Sequence, residues 1–173
     1  IDAGCEINGY ASDITRTFPV NGKFSEAQRE IYGIVLSAQK SAIHTIKPGV
    51  SCNKPHETAC QIITDGLIKL GIMKSAEDLT KFYMHNTGHW LGLDVHDVGS
   101  KLINDEFREF KNGMVTTVEP GIYIRRDDKI DSKYWGIGIR IEDDVLVTET
   151  GNHVLSEKAI KDIDEIEHLM SQR

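Results

Sequence analysis

Asp2 and Asp13 stand on either side of Asn8-Gly9, the pair that most favours a two-residue hairpin because both residues tolerate positive φ. With that turn Ile7 pairs with Tyr10, Gly4 faces Asp13, and Asp2 becomes the diagonal neighbour of Asp13 on the same strand face. Two carboxylates then share a patch of sheet, and the residue between them has no side chain. Such a pair is unfavourable unless a cation sits between the two or one takes a proton. Two aspartates on a solvated strand face are the simpler reading. A second pattern adds to the first. Ile137, Ile139 and Ile141 alternate with Gly138, Arg140 and Glu142, so one strand face is apolar and the other carries Arg140 beside Glu142. Arg140 could hold a ligand carboxylate in place by a bidentate bond, or the two could form an exposed salt bridge. Glu119 precedes Pro120-Gly121 and is fixed where the chain must turn. His85, His89 and His96 fall within twelve residues, interleaved with Gly88, Gly92 and Gly99, which let backbone or a substrate approach closely. His44, His56, His153 and His168 lie in or near ordinary helices and turns and receive no role.

Other chemistries fail on spacing. HExxH, GxGxxG and GxSxG are all missing from the sequence, and the Gly4 to Gly9 spacing is followed by Tyr10-Ala11 instead of the Lys-Ser/Thr of a phosphate loop. Cys5, by alternation from Asp2, is expected to face the core.

These residues need elements to position them. Residues 1–8 and 9–20 read as two strands. Ser25 and Gln28 form a capping-box pattern, and Ile31, Ile34, Val35, Ala38, Ala42 and Ile46 keep a helical stripe until Pro48-Gly49. A second helix begins near Ser51 to Pro55, with Ala59, Ile62, Ile63, Leu67 and Leu70 as its stripe and Gly71 as its cap; Ser75 to Asp78 starts a short third. Phe82 to His85, Met114 to Glu119, Gly121 to Arg125 and Ile137 to Glu149 read as strands, 126–135 as a polar loop, Gly151-Asn152 as a turn, and Ile160 to Met170 as a closing helix. Strands, then helices, then strands predict an α+β fold with helices covering one face of an antiparallel sheet.

The whole-chain arithmetic agrees. The sequence has 173 residues, 39% hydrophobic and 27% charged, which suits one domain with a real core. Its net charge of -7 and lack of a basic run argue against a nucleic-acid partner, and no apolar run is long enough to cross a membrane. Three cysteines without CxxC spacing fit a reducing compartment, so a cytoplasmic location is expected. The chain opens on Ile1-Asp2-Ala3-Gly4, the inside of a strand, which suggests a piece of a longer protein.

Taken together, Asp2, Asp13, His89, Glu119 and Glu142 resemble the dinuclear metal ligands of the aminopeptidase P, prolidase and methionine aminopeptidase family. The segments that carry the resemblance are Ile1 to Gly4, Tyr10 to Thr17, Gly88 to Gly99, Val118 to Gly121 and Gly136 to Asp144, which together span nearly the whole chain. The resemblance is densest to the bacterial aminopeptidase P branch. It implies the pita-bread fold, entered after its N-terminal portion. It implies two divalent ions, manganese first, with cobalt, iron or zinc as substitutes. In that scheme Asp13 and Glu142 bridge, Asp2 holds one ion, and His89 and Glu119 hold the other. A metal-bridging hydroxide would cut the bond before a proline in the second position, with Glu119 moving the proton. His85 and His96 would contact substrate, Arg140 would support the site, and Trp90 and Tyr123 would line the proline pocket. A dipeptidase with the same site is the alternative. The full-length protein is expected to form a homo-oligomer. Asp2 lies one residue from the chain start, so its strand should fray, and this chain alone should hold the Asp2-side ion weakly and turn over little substrate.

Overall fold

A computed structural model describes residues 1–172. The first strands are short and paired as the Asn8-Gly9 turn dictates. β1 (Asp2–Ala3) pairs antiparallel with β4 (Ile14–Thr15), and β2 (Glu6–Ile7) with β3 (Tyr10–Ala11). Asn8 and Gly9 sit at φ 55° and 84°, as the tightest hairpin turn requires. The two ladders keep one register but separate at Gly4-Cys5. There Ser12 N–H bonds the Cys5 carbonyl, while Asp13 N–H turns away to Asp144 Oδ2 at 3.2 Å. A Cβ on Gly4 would lie 1.8 Å from the Ser12 carbonyl oxygen, so this crossing requires glycine.

Two helices follow. α1 (Glu26–Thr45) begins on the expected capping box, with Ser25 Oγ accepting from Gln28 N–H and the Gln28 side chain accepting from Ser25 N–H. Its buried stripe includes Ile31, Val35, Ala38 and Ala42. α2 (Lys54–Lys69) starts with Pro55 in its first turn and buries Ala59, Ile63 and Leu67. Side chains of α1 and α2 join Ile122, Ile139, Val145 and Val147 of the later strands, and Ile141 between two of them, in one core. Each such aliphatic side chain contributes about 1.5–3 kcal/mol by leaving water.

The later strands are β5 (Leu102–Ile103), β6 (Glu106–Phe107), β7 (Val115–Val118), β8 (Gly121–Tyr123), β9 (Gly138–Arg140), β10 (Asp143–Val147) and β11 (Asn152–Val154), and α3 (Ile163–Met170) closes the described chain. β10 lies between β7 and β11, β8 pairs with β9, and β5 with β6, every pair antiparallel. The α+β expectation holds.

Two local expectations do not, and one hairpin is additional to them. Phe82 to His85 is not a strand: a 3-10 turn over Ala76–Lys81 runs into it, Phe82 and Tyr83 both bond back to Leu79, and both are buried in succession. β5–β6 was not foreseen; its Asn104-Asp105 turn has both residues at positive φ, a pairing less familiar than Asn-Gly. Cys5 is exposed and not in the core, because it falls at the separation of the two ladders, with its thiol beside Ser12 Oγ at 3.5 Å.

Candidate metal centre

Short elements from distant parts of the chain bring the donors together. Asp2 comes from β1, and Asp13 from the turn into β4. His89 lies in an irregular segment laid along β7, where its carbonyl accepts from Thr117 N–H at 3.0 Å and Thr116 Oγ1 at 2.8 Å. Gly88 makes this approach possible, since a Cβ there would sit 2.0 Å from the Thr117 carbonyl oxygen. Glu119 leaves the end of β7, its N–H bonded to the Thr87 carbonyl, and Glu142 lies between β9 and β10.

The donor atoms form three overlapping groups, each with its atoms within 4.8 Å of one another: His89, Glu119 and Glu142; Asp2, Asp13 and Glu142; Asp13, His89 and His96. His89 Nδ1 lies 3.0 Å from the Trp90 carbonyl, so Nδ1 carries the proton and Nε2 presents its lone pair. That lone pair points between Asp13 Oδ2 at 3.4 Å and Glu119 Oε1 at 3.7 Å. An imidazole anchored through its other ring N–H to a backbone carbonyl is the usual arrangement of a metal-binding histidine.

Electrostatics agrees with the geometry. Glu142 is buried, and burial, followed by the charges of Glu119, Asp13 and Asp2, pushes its carboxyl up to about 8 despite the hydroxyl of Thr15. Burial also raises Glu119, against the lowering pull of His85, His89 and Arg140. Burial raises Asp13, and Asp2 adds to the rise. Carboxylates packed this closely favour an added cation, and four of them with one imidazole suit hard or borderline divalent ions.

Supporting contacts surround the donors. Thr15 Oγ1 donates to Glu142 Oε2 at 2.6 Å and accepts from Arg140 Nε at 3.1 Å, and Arg140 Nη2 reaches Asp2 Oδ2 at 2.5 Å. His85 Nε2 lies 2.8 Å from Tyr123 Oη, and its Nδ1 lies 3.9 Å from Glu119 Oε2. The His96 ring stands edge-on to His89 with centroids 4.4 Å apart. His85, His96, Arg140 and Tyr123 thus join the five donors. Trp90 is placed apart: its ring meets Phe110 edge-on and lines a groove of about 590 Å³ that contains none of the five. Sequence reasoning missed Thr15 and Asp144. Thr15 was available from alternation with Asp13; Asp144, whose Oδ1 is buried without a partner, gave no local signal.

These donors form a cluster that could hold metal ions. The chain belongs to metallopeptidase family M24, which it matches over residues 1–149. It is 54% identical to the Xaa-Pro aminopeptidase of Haemophilus influenzae and 51% identical to that of Escherichia coli, over 99% and 98% of its own length and 41% and 40% of theirs. Among solved structures it resembles Pseudomonas aeruginosa aminopeptidase PepP with a TM-score of 0.95, and zinc-substituted Escherichia coli aminopeptidase P in complex with product with a TM-score of 0.92. Both are 50% identical and align with 99% of this chain and 40% of theirs, which bears out the expected fold. The chain spans about two-fifths of the length of the curated relatives it matches.

Proposed function

We propose that this chain carries the metal centre of an aminopeptidase that removes an N-terminal residue from peptides with proline in second position. The observation that supports it most is the convergence of Asp2, Asp13, His89, Glu119 and Glu142, with Glu142 common to two three-donor groups. Two divalent ions would be held by these residues, one by Asp2, Asp13 and Glu142 and the other by His89, Glu119 and Glu142. Manganese is the preferred ion for so oxygen-rich a set. When bound, such ions supply Lewis-acid activation of water and of the peptide carbonyl.

The chain's own residues supply the rest. Glu119, raised by burial, is suited to take a proton from water and return it to the leaving nitrogen. His85, beside Tyr123, and His96, against His89, would contact the substrate carbonyl as charge develops on it. Arg140 fixes Asp2 directly and Glu142 through Thr15. Proline at the second position offers no amide hydrogen and a fixed ring, so shape can select it. The relatives' names favour an aminopeptidase over a dipeptidase. Three free cysteines support a reducing, cytoplasmic setting. No described helix is long and apolar enough to cross a membrane.

The test replaces the matching segment of the Escherichia coli relative with residues 1–173 and loads the chimera with manganese. It should release the first residue of Xaa-Pro tripeptides, and Glu119→Gln should abolish turnover with the fold intact. A folded, metal-loaded chimera that cuts no Xaa-Pro peptide would refute the proposal, and cutting of dipeptides alone would favour the dipeptidase.

A further inference from the structure

We infer that Arg16 is a positioning residue of the metal centre, locking the Glu142 peptide to the strands that carry Asp2 and Asp13. The inference rests on the proposed reading of Glu142 as a metal ligand. Arg16 belongs to the Tyr10–Thr17 segment, of which the proposed chemistry uses Asp13 and Thr15.

Its guanidinium is engaged on every nitrogen. Nε donates to the Ile160 carbonyl at 3.0 Å. Nη1 donates to the Thr15 carbonyl at 2.9 Å and to the Glu142 carbonyl at 2.5 Å. Nη2 donates to Asp143 Oδ1 and the Ala159 carbonyl, both at 2.7 Å. Glu142 N–H in turn bonds the Thr15 carbonyl at 3.1 Å, so both ends of the Glu142 backbone are tied to residues 15 and 16. The Arg16 backbone works on the other flank: it exchanges hydrogen bonds with Ile1 in both directions at 2.9 Å, closing the ladder beside Asp2.

Asp143 is the counter-anchor. It is fully buried, and its oxygens accept from Arg16, Ser156, Gln39 and Lys161. Lys161 shares Asp143 with Arg16 but makes no hydrogen bond to Glu142; its other partner is Gln39 Oε1 at 3.2 Å. The two cations therefore separate two roles. Both neutralise Asp143, while Arg16 alone of the two grips the peptide of a proposed ligand. A lysine at 16 could restore the charge but not the fork that reaches Asp143 and the Glu142 carbonyl together.

The experiment compares Arg16→Lys and Lys161→Met with the wild-type chain, by manganese calorimetry and urea unfolding. Both variants should lose stability. Arg16→Lys should bind manganese on the order of tenfold more weakly, as for other groups that orient ligands, while Lys161→Met stays within about twofold. Unchanged affinity in Arg16→Lys, or equal weakening in both variants, would overturn the inference. Should Arg16→Lys not fold, nitrogen-15 arginine spectra of the wild type decide. Zinc should slow hydrogen exchange at Arg16 Nε and leave exposed Arg29 unchanged; no change at Arg16 overturns the inference. A wild-type chain that binds neither ion sinks the reading of Glu142 itself, a different failure from metal binding that ignores Arg16.

Discussion

Glu142 is a buried carboxyl with a strongly raised pKa. Burial and the carboxylates around it push it up to about 8, against the lowering pull of the Thr15 hydroxyl. Thr15→Val keeps the volume and removes that hydrogen bond. The Glu142 pKa should then rise further and manganese should bind at pH 7 at least about tenfold more weakly, since hydrogen bonds to charged groups contribute roughly 1.5–3 kcal/mol. Calorimetry checks this; unchanged affinity would mean the hydroxyl has no influence on the ligand. The wild type should also release about one proton per Glu142 on binding metal at pH 7, seen as a dependence of binding heat on buffer ionisation enthalpy. At this scale the sequence was partly legible. Alternation and the Asn8-Gly9 turn placed Asp2 and Asp13 together. Arg16 was not legible as a site-builder, because Glu142, whose carbonyl it holds, stands more than a hundred residues away.

Elements set the distances between donors, and the tightest of them is the first hairpin. Gly4→Ala would force a methyl into the Ser12 carbonyl, so the ladders must part. We expect a loss of about 2–4 kcal/mol by urea unfolding, together with weaker metal binding on the Asp2 side. Ser25→Ala provides the contrast. It removes the capping box of α1, should cost about 1 kcal/mol, and should leave metal affinity as it was. Helices were the more legible elements, because a twenty-residue stripe and its cap are local signals. Strands of two or three residues were not. Ile137 to Glu149 reads as one run, yet the chain breaks it at Ile141-Glu142, between β9 and β10, which is where a proposed ligand is presented.

The whole molecule couples this centre to stability. Burial raises Glu142 to about 8 and Asp144 to about 6, and raises Glu119, so between about pH 5 and 8 the metal-free folded chain holds more protons than the unfolded one. Its stability should therefore fall as pH rises through that range. Asp143 is shifted the other way: its hydrogen bonds and ion pairs outweigh burial and lower it, so the stability it adds is lost in acid, as pH falls below its ordinary value of 3.8. Metal-free thermal melts should peak near pH 5, and saturating manganese should reverse the slope above it, because bound ions require the deprotonated carboxylates. A metal-free melting temperature that rises from pH 5 to 8 would contradict this.

The central claim is that five donors form one centre with Glu142 at its middle. Calorimetric titration of manganese into the metal-free chain near pH 7.5 tests it most directly. Two classes of site should appear: a tighter one on His89, Glu119 and Glu142, and a weaker one on the Asp2 side, where Asp2 is 52% exposed and already paired with Arg140. Glu142→Gln should remove both. Absence of binding, or two sites that survive Glu142→Gln unchanged, would contradict the account.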